Sequence, residues 1–328
     1  MTPVPPVIAS PPYRNRGGGL KAFGILQIIL GSLSAFSIPF MLLTLLVPAK
    51  MPDGEIIQVN VLVPLLTNGG LAVALIWLGI GSLQAQRWAR TLIMLSSWGA
   101  LFGGLWLMVV TIYAMIFGLP EIDGQALPPG AGFVALLFSM AIMGTMFVLL
   151  PAILGWYYSR PDVKATCEAR HPHPGWTDVC SPTVLALSLW QALGAISMLV
   201  FAIGNHGVIP VFGEVLTGWA GIVICLVQGT LGAGAAWMLY RLKPSGWWLT
   251  FALLLCATVS ILLNALHLDN DQLYRAMGYG ATQLKQIRQF DVMRGSKGIV
   301  FSAVVTLPMM ILLARTYRHC IRPRAERL

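Results

Sequence analysis

Residues 215–240 read VLTGWAGIVICLVQGTLGAGAAWMLY, with no Asp, Glu, Lys or Arg among them. A helix that crosses a bilayer needs about 17–25 apolar residues, because each residue advances about 1.5 Å against about 30 Å of hydrocarbon. This stretch meets that requirement. Seven others share its freedom from charge: 22–49, 56–86, 91–120, 124–159, 179–213, 244–268 and 298–314, the last being the shortest. One charge at a helix centre costs about 2.5–3.5 kcal/mol on insertion scales, so eight clean stretches do not arise by chance.

Composition agrees. Of 328 residues, 57% are hydrophobic and 10% charged, too few charges to dress a soluble surface, which needs about 25%. A β-barrel is excluded, since barrel strands are short and alternate polar with apolar residues. The fold class is therefore all-α, a polytopic integral membrane protein with about eight transmembrane helices. The spans are predicted at 22–47, 61–83, 91–117, 132–158, 183–206, 215–239, 247–267 and 298–316. The first run is too long for a signal h-region, so it reads as a permanent span rather than a cleaved leader.

Lys and Arg are unevenly shared between the two sides of an eight-span arrangement. Arg14, Arg16, Lys21, Arg87, Arg90, Arg160, Lys164, Arg170, Arg241, Lys243 and the C-terminal group Arg315, Arg318, Arg322, Arg324 and Arg327 fall on one side. Lys50, Arg275, Lys285, Arg288, Arg294 and Lys297 fall on the other, five of them within 268–297. The positive-inside rule then places both termini in the cytoplasm, in a plasma or inner membrane. The formal net charge of +9 is read as topogenic, with the basic tail at anionic lipid headgroups rather than on nucleic acid.

The two halves resemble each other. Gly69, Trp77 and Trp88 have the spacing of Gly229, Trp237 and Trp248, and Leu30-Gly31-Ser32-Leu33-Ser34 reads like Leu193-Gly194-Ala195-Ile196-Ser197. Arg160-Pro161 closes one half and Arg322-Pro323 the other. Four spans per half is an even number, so the expected arrangement is two parallel four-helix repeats about an axis along the membrane normal. The segments are then a Pro/Gly-rich tail at 1–20, expected to be disordered, a first repeat at 21–158, a linker at 159–182, a second repeat at 183–316 and a basic tail at 317–328. Trp88 and Trp248 are expected as interface anchors, and Trp77 and Trp237 as deeper packing residues. Gly31, Gly194, Gly69 and Gly229 are expected where backbones approach closely.

No acid or base lies inside any predicted span, which argues against proton-coupled transport. The intramembrane polar candidates are neutral: Gln27, Asn68, Gln228 and Asn264. Asn68 and Gln228 each precede a matched glycine and form the candidate pair. A polar constriction and plain interhelical hydrogen bonding, worth about 0.6–2 kcal/mol, both fit them. His206 and His267 sit near the outer ends of spans five and seven.

The segment 159–182 is the richest in chemistry. Pro161–Arg170 suits a short helix with Val163 and Cys167 on one face, ended by His171-Pro172, and Ser181-Pro182 suits the start of span five. Cys167, His171, His173 and Cys180 offer two thiolates and two imidazoles, the ligand types zinc takes. Their spacing departs from zinc-site patterns, and no CxxC is present, so a membrane-apposed linker with Trp176 at the interface competes with a metal site. Loop 268–297 reads as an amphipathic surface segment absent from the first half.

No nucleophile–base pair, acid pair or phosphate-cradling glycine motif occurs at recognisable spacing. Three function classes remain: an uncoupled carrier or channel for a small neutral or lipophilic solute, a non-catalytic assembly subunit in a homo- or hetero-oligomer, and a metal-binding sensor using the central loop.

Overall fold

A computed structural model describes residues 13–46, 62–117, 131–280, 284 and 295–321. Residues 1–12 of the tail predicted at 1–20, much of the loop 268–297 and the basic positions Arg322, Arg324 and Arg327 lie outside the described residues; the rest of that tail is ordered, a helix starting at Gly17 and Leu20 being buried. The chain is an all-α polytopic membrane protein. Its long helices are α1 (Gly17–Leu46), α2 (Leu62–Leu83), α3 (Arg87–Phe117), α4 (Ala131–Met143) running through a π-helical turn (Gly144–Leu149) into α5 (Leu150–Ser159), then α7 (Pro182–Gly204), α8 (Gly218–Tyr240) and α9 (Pro244–His267). Seven helical stretches in these elements are long and apolar enough to cross a membrane. The eighth predicted span falls in α11 (Gly295–Ile321), a helix of 27 residues that runs through Pro308. Short elements α6 (Pro161–Arg170) and α10 (Asn270–Ala276) join them.

The outward faces are apolar. Phe36, Val73, Phe138 and Ile203 are each about two-thirds exposed. Contiguous apolar surface on this scale is stable only against hydrocarbon.

Helices pair along seams of small residues. Gly24 on α1 and Gly79 on α2 meet back to back, and a Cβ on either would lie 2.7–2.8 Å from the other's carbonyl oxygen. Gly31 sits about two turns further along, against the Ala72 carbonyl and Ile76. In the second half Ala195 on α7 packs against Gly229 and Gly232 on α8. Backbones this close gain dispersion contacts that lipid tails cannot match. Gly194 behaves differently from Gly31: nothing lies within 4 Å of its would-be Cβ, so the neighbouring Ala195 makes the contact expected of it.

Pro151 is accommodated rather than breaking its helix. Proline lacks an N–H and crowds the carbonyl four residues back. The preceding π turn relieves this, with the Leu150 N–H donating to Thr145 O, five residues back. Pro64 falls in the first turn of α2, where a missing donor costs little.

Two cores form at the end of the bundle where α1 starts. One gathers Leu20, Ala89, Ile93, Leu154, Tyr158, Val163 and Cys167, all within 20–167. The other gathers Val184, Leu187, Leu239, Trp247 and Leu313, all within 184–313. The opposite end holds an element absent from the sequence-based picture, the hairpin β1 (Ile209–Val211) and β2 (Glu214–Leu216). Its turn residues Phe212 and Gly213 both have positive φ, the geometry of a tight hairpin turn.

Candidate functional site

Two regions carry most of the chemistry. The first is the central segment 160–181. Helix α6 spans Pro161–Arg170 as predicted, with Val163 and Cys167 buried on one face. Arg87, at the start of α3, binds this segment with three guanidinium nitrogens. Its Nε lies 3.1 Å from Asp178 Oδ2, one Nη lies 3.4 Å from Glu168 Oε1, and the other donates to Pro172 O at 3.2 Å. Asp178 also accepts from the Gly175 N–H at 2.9 Å, closing the short 3₁₀ turn Trp176–Asp178.

The start of α1 is tied to the same segment. The Arg16 N–H donates to Thr166 Oγ1 at 3.1 Å, Arg16 O accepts from Tyr157 at 2.9 Å, and the Arg16 guanidinium lies 3.6 Å from Asp162. Beneath it, Ser82 Oγ donates to Leu20 O at 2.8 Å and meets the fully buried Tyr158 hydroxyl at 2.5 Å, joining α1, α2 and α5. The segment also reaches the second half, since Tyr240 donates to Trp176 O at 2.9 Å. Residues 160–181 thus form a folded strap across one end of the bundle rather than a loose linker.

The four candidate metal ligands are not brought together there. Cys167 is fully buried in the first core, and that burial pushes its thiol up to about 11 against the opposing pull of Arg90 and Arg170. A thiol so held is a poor source of the thiolate a metal requires. His171 Nε2 is 3.1 Å from Gln84 O, His173 is exposed, and Cys180 packs beside the second core. Among the described residues no three His, Cys, Asp or Glu side chains are placed to hold a metal ion. Ser181 stands at the N-cap of α7 with Pro182 following, but its side chain makes no capping bond.

The second region is a groove of about 560 Å³ along α7 and α8. Leu185, Ala192 and Ala195 line it from α7, Gly229, Ala233 and Ala236 from α8, and Trp176, Trp237 and Tyr240 stand at one end. Its hydroxyl groups are already engaged. Ser188 donates to Ala236 O at 2.7 Å, Thr230 to Val227 O at 2.9 Å, and Tyr240 to Trp176 O. The groove therefore offers apolar surface along its length, with the Trp176 and Trp237 indole N–H groups at one end as its uncommitted donors among the described residues.

Asn68 and Gln228 do not line this groove. Asn68 is held within the first half, its Nδ2 3.5 Å from Met41 Sδ and its backbone oxygen accepting from Ser34 at 3.3 Å. Gln228 is half-buried on α8, which packs on α7 and α9. Asn264 anchors the hairpin turn: its Oδ1 accepts from the Gly213 N–H at 2.7 Å and its Nδ2 donates to Pro210 O at 3.3 Å.

The tryptophans also differ in part from expectation. Trp77 packs against a neighbouring helix, stacked on Trp88 of α3 at 4.3 Å, though half exposed, whereas Trp237 is more than half exposed beneath the Arg241 guanidinium at 4.6 Å. Trp88 is half-buried against the first core and Trp248 is exposed. Trp247, one residue before it, enters the second core and donates to Leu313 O at 2.9 Å. Adjacent helix positions point about 100° apart, so only one of the pair can face inward.

Gln27 is 3% exposed on the α1–α2 seam, and its Oε1 has no hydrogen-bond partner. Comparisons with protein-family models, curated proteins and solved structures found no match.

Proposed function

We propose that this membrane protein binds a lipophilic solute in the α7–α8 groove and acts as an uncoupled carrier for it. The observation that supports this reading is the groove itself. Its volume falls in the range of about 300–1,000 Å³ typical of small-molecule pockets, its walls are apolar, and its lining hydroxyls are satisfied internally. A hydrophilic solute would lose its hydration along the groove and find only two indole N–H donors at one end.

The reading includes eight crossings, with α11 as the eighth, both termini cytoplasmic, and two parallel four-helix repeats. Pairing of helices supports the repeats. In the first half α1 pairs with α2 and α3 with α5, and in the second α7 pairs with α8 and α9 with α11. The contact of Gly31 with Ala72 corresponds to that of Ala195 with Gly232, shifting α1 onto α7 by 164 residues and α2 onto α8 by 160. In that frame Gln27 matches Gln191, a correspondence the Gly31–Gly194 alignment conceals.

The same frame supports specialisation of the second seam. The positions of Ala192 and Ala236 are held in the first half by Ile28 and Ile76, whose side chains press on Gly79 and Gly31. The isoleucines fill the crease in one half, and the alanines leave it open in the other.

The test is the double substitution Ala192→Ile/Ala236→Ile in the full chain, assayed with a photoreactive fatty-acyl probe in vesicles. Wild type should crosslink at α7 or α8, and the filled variant should lose that crosslink while keeping its helical circular dichroism and Tm. Equal crosslinking of both at these helices would end the carrier reading.

A further inference from the structure

The geometry points to a phospholipid with an anionic headgroup as the occupant of the α7–α8 groove, its acyl chain between the helices and its phosphate at Arg241 and Lys243. This rests on the groove being entered from the bilayer, and it adds the chemical class of the ligand.

The groove is asymmetric along its length. Its walls run from Leu185 to Leu199 on α7, about 21 Å at 1.5 Å per residue. One leaflet of hydrocarbon is about 15 Å deep, half of about 30 Å, so an acyl chain entering from one surface is covered for its whole depth. One end alone carries the aromatic set Trp176, Trp237 and Tyr240, side chains that settle at headgroup level. Charge stands at that same end. The Arg241 guanidinium lies over the Trp237 ring, and Lys243 follows two residues later; both are exposed, and neither enters an ion pair among the described residues.

Stacking on Trp237 holds Arg241 at the mouth of the groove and leaves its N–H donors in the ring plane free for phosphate oxygens. Arg16, Arg87 and Lys164 at this end differ, because carboxylates of the central segment engage them. A zwitterionic lipid would find the same apolar groove but less attraction for its headgroup.

The experiment is native mass spectrometry of the full-length protein released from detergent after equilibration with phosphatidylglycerol or phosphatidylcholine of the same acyl chains. Wild type should retain one phosphatidylglycerol about thirtyfold more than phosphatidylcholine, the effect expected of two surface cations. Arg241→Gln/Lys243→Gln should retain both lipids equally. Ala192→Ile/Ala236→Ile should retain neither above the level of detergent exchange. If the Gln variant keeps the wild-type preference, the headgroup inference fails while the groove reading stands. If the Ile variant retains lipid like wild type, the groove reading fails as well. If the Ile variant instead converts a dimer to a monomer with lipid unchanged, the occupant is a second copy of the chain and the inference is overturned. Circular dichroism and Tm of each variant establish that it is folded.

Discussion

Replacing Arg87 with Ala should release the central segment from the end of α3. Three contacts are lost together. The Asp178 pair, at 3.1 Å with side chains 17% and 28% exposed, contributes about 1–2 kcal/mol. The Glu168 contact, at 3.4 Å with a partner 39% exposed, is discounted for solvent screening to under about 1 kcal/mol. The hydrogen bond to Pro172 O adds about 1 kcal/mol. Together they amount to about 2–4 kcal/mol of local stability, an increase of about thirtyfold or more in the open population. The assay is maleimide labelling of Cys167, fully buried on α6, in a chain whose other cysteines are serine. Labelling should accelerate by about that factor when opening and closing are faster than the chemistry. Lys164→Ala is the control. Its ion pair with Glu168 is mostly exposed and lies within one helix, so it should change the rate little. If Arg87→Ala labels within about twofold of the parent, the strap is held by its core contacts and not by Arg87.

Burial raises the Cys167 thiol to about 11, above the roughly 8.5–9 of an unfolded thiol. Between those values the folded state keeps a proton that the unfolded state releases, so stability is intact below about pH 9 and falls as pH rises toward 11, by about 1–3 kcal/mol. Tm against pH should therefore decline more steeply for wild type than for Cys167→Ala, and matching slopes would refute the assignment. Gly79→Leu should split the α1–α2 seam, because even its Cβ would lie 2.7 Å from Gly24 O; the readout is loss of the folded monomer on size-exclusion chromatography, and a Tm unchanged from wild type would contradict the packing. Asn264→Ala should free the hairpin at a cost of about 1–2 kcal/mol, seen as faster hydrogen exchange over 209–216, and unchanged protection there would show that strand pairing alone holds it. Gln27→Leu removes a buried oxygen without a partner and should leave Tm equal or higher, by up to about 1–3 kcal/mol of stability; a drop would mean the carboxamide is held by an unrecognised group.

What the sequence made legible was what the bilayer enforces. Freedom from charge over long runs is a local property, and seven of the runs appear as helices able to cross a membrane. The bounds of α6 were legible for a similar reason, since Pro161 and His171-Pro172 act on their own backbone neighbourhood. The hairpin at 209–216 was not. Its strands are three residues each, too short to show alternation, and they lie where an apolar run ends. Nor was the Arg87 network. Arg87 counted only as a topogenic charge, because its partners Glu168 and Asp178 are distant in the chain and meet it only when α6 docks. Cys167 and Cys180 looked like ligands by residue type, but the helix that carries Cys167 turns it into a core. The groove was hidden for the opposite reason. It is made by missing side-chain volume, and Ala192, Ala233 and Ala236 read along the chain as ordinary small packing residues.

The proposed repeat frame explains why volume should be missing on one seam only. A seam between two membrane helices gains from small residues where backbones touch and from branched residues beside them that fill the crease. The first half follows this rule, with Gly24, Gly31 and Gly79 at the crossing and Ile28 and Ile76 packed onto the glycines. The second half keeps close approach at Ala195, Gly229 and Gly232 but has alanine where the isoleucines would stand. Leaving that crease unfilled forfeits dispersion contacts that the other half shows the fold can make. The loss is offset if a bilayer component supplies the missing atoms, and the cations beside Trp237 decide which component does so most readily. On this view Ser188 replaces Gly24 for a structural reason: its hydroxyl, donating to Ala236 O, ties α7 to α8 at a point where the side chains leave a gap.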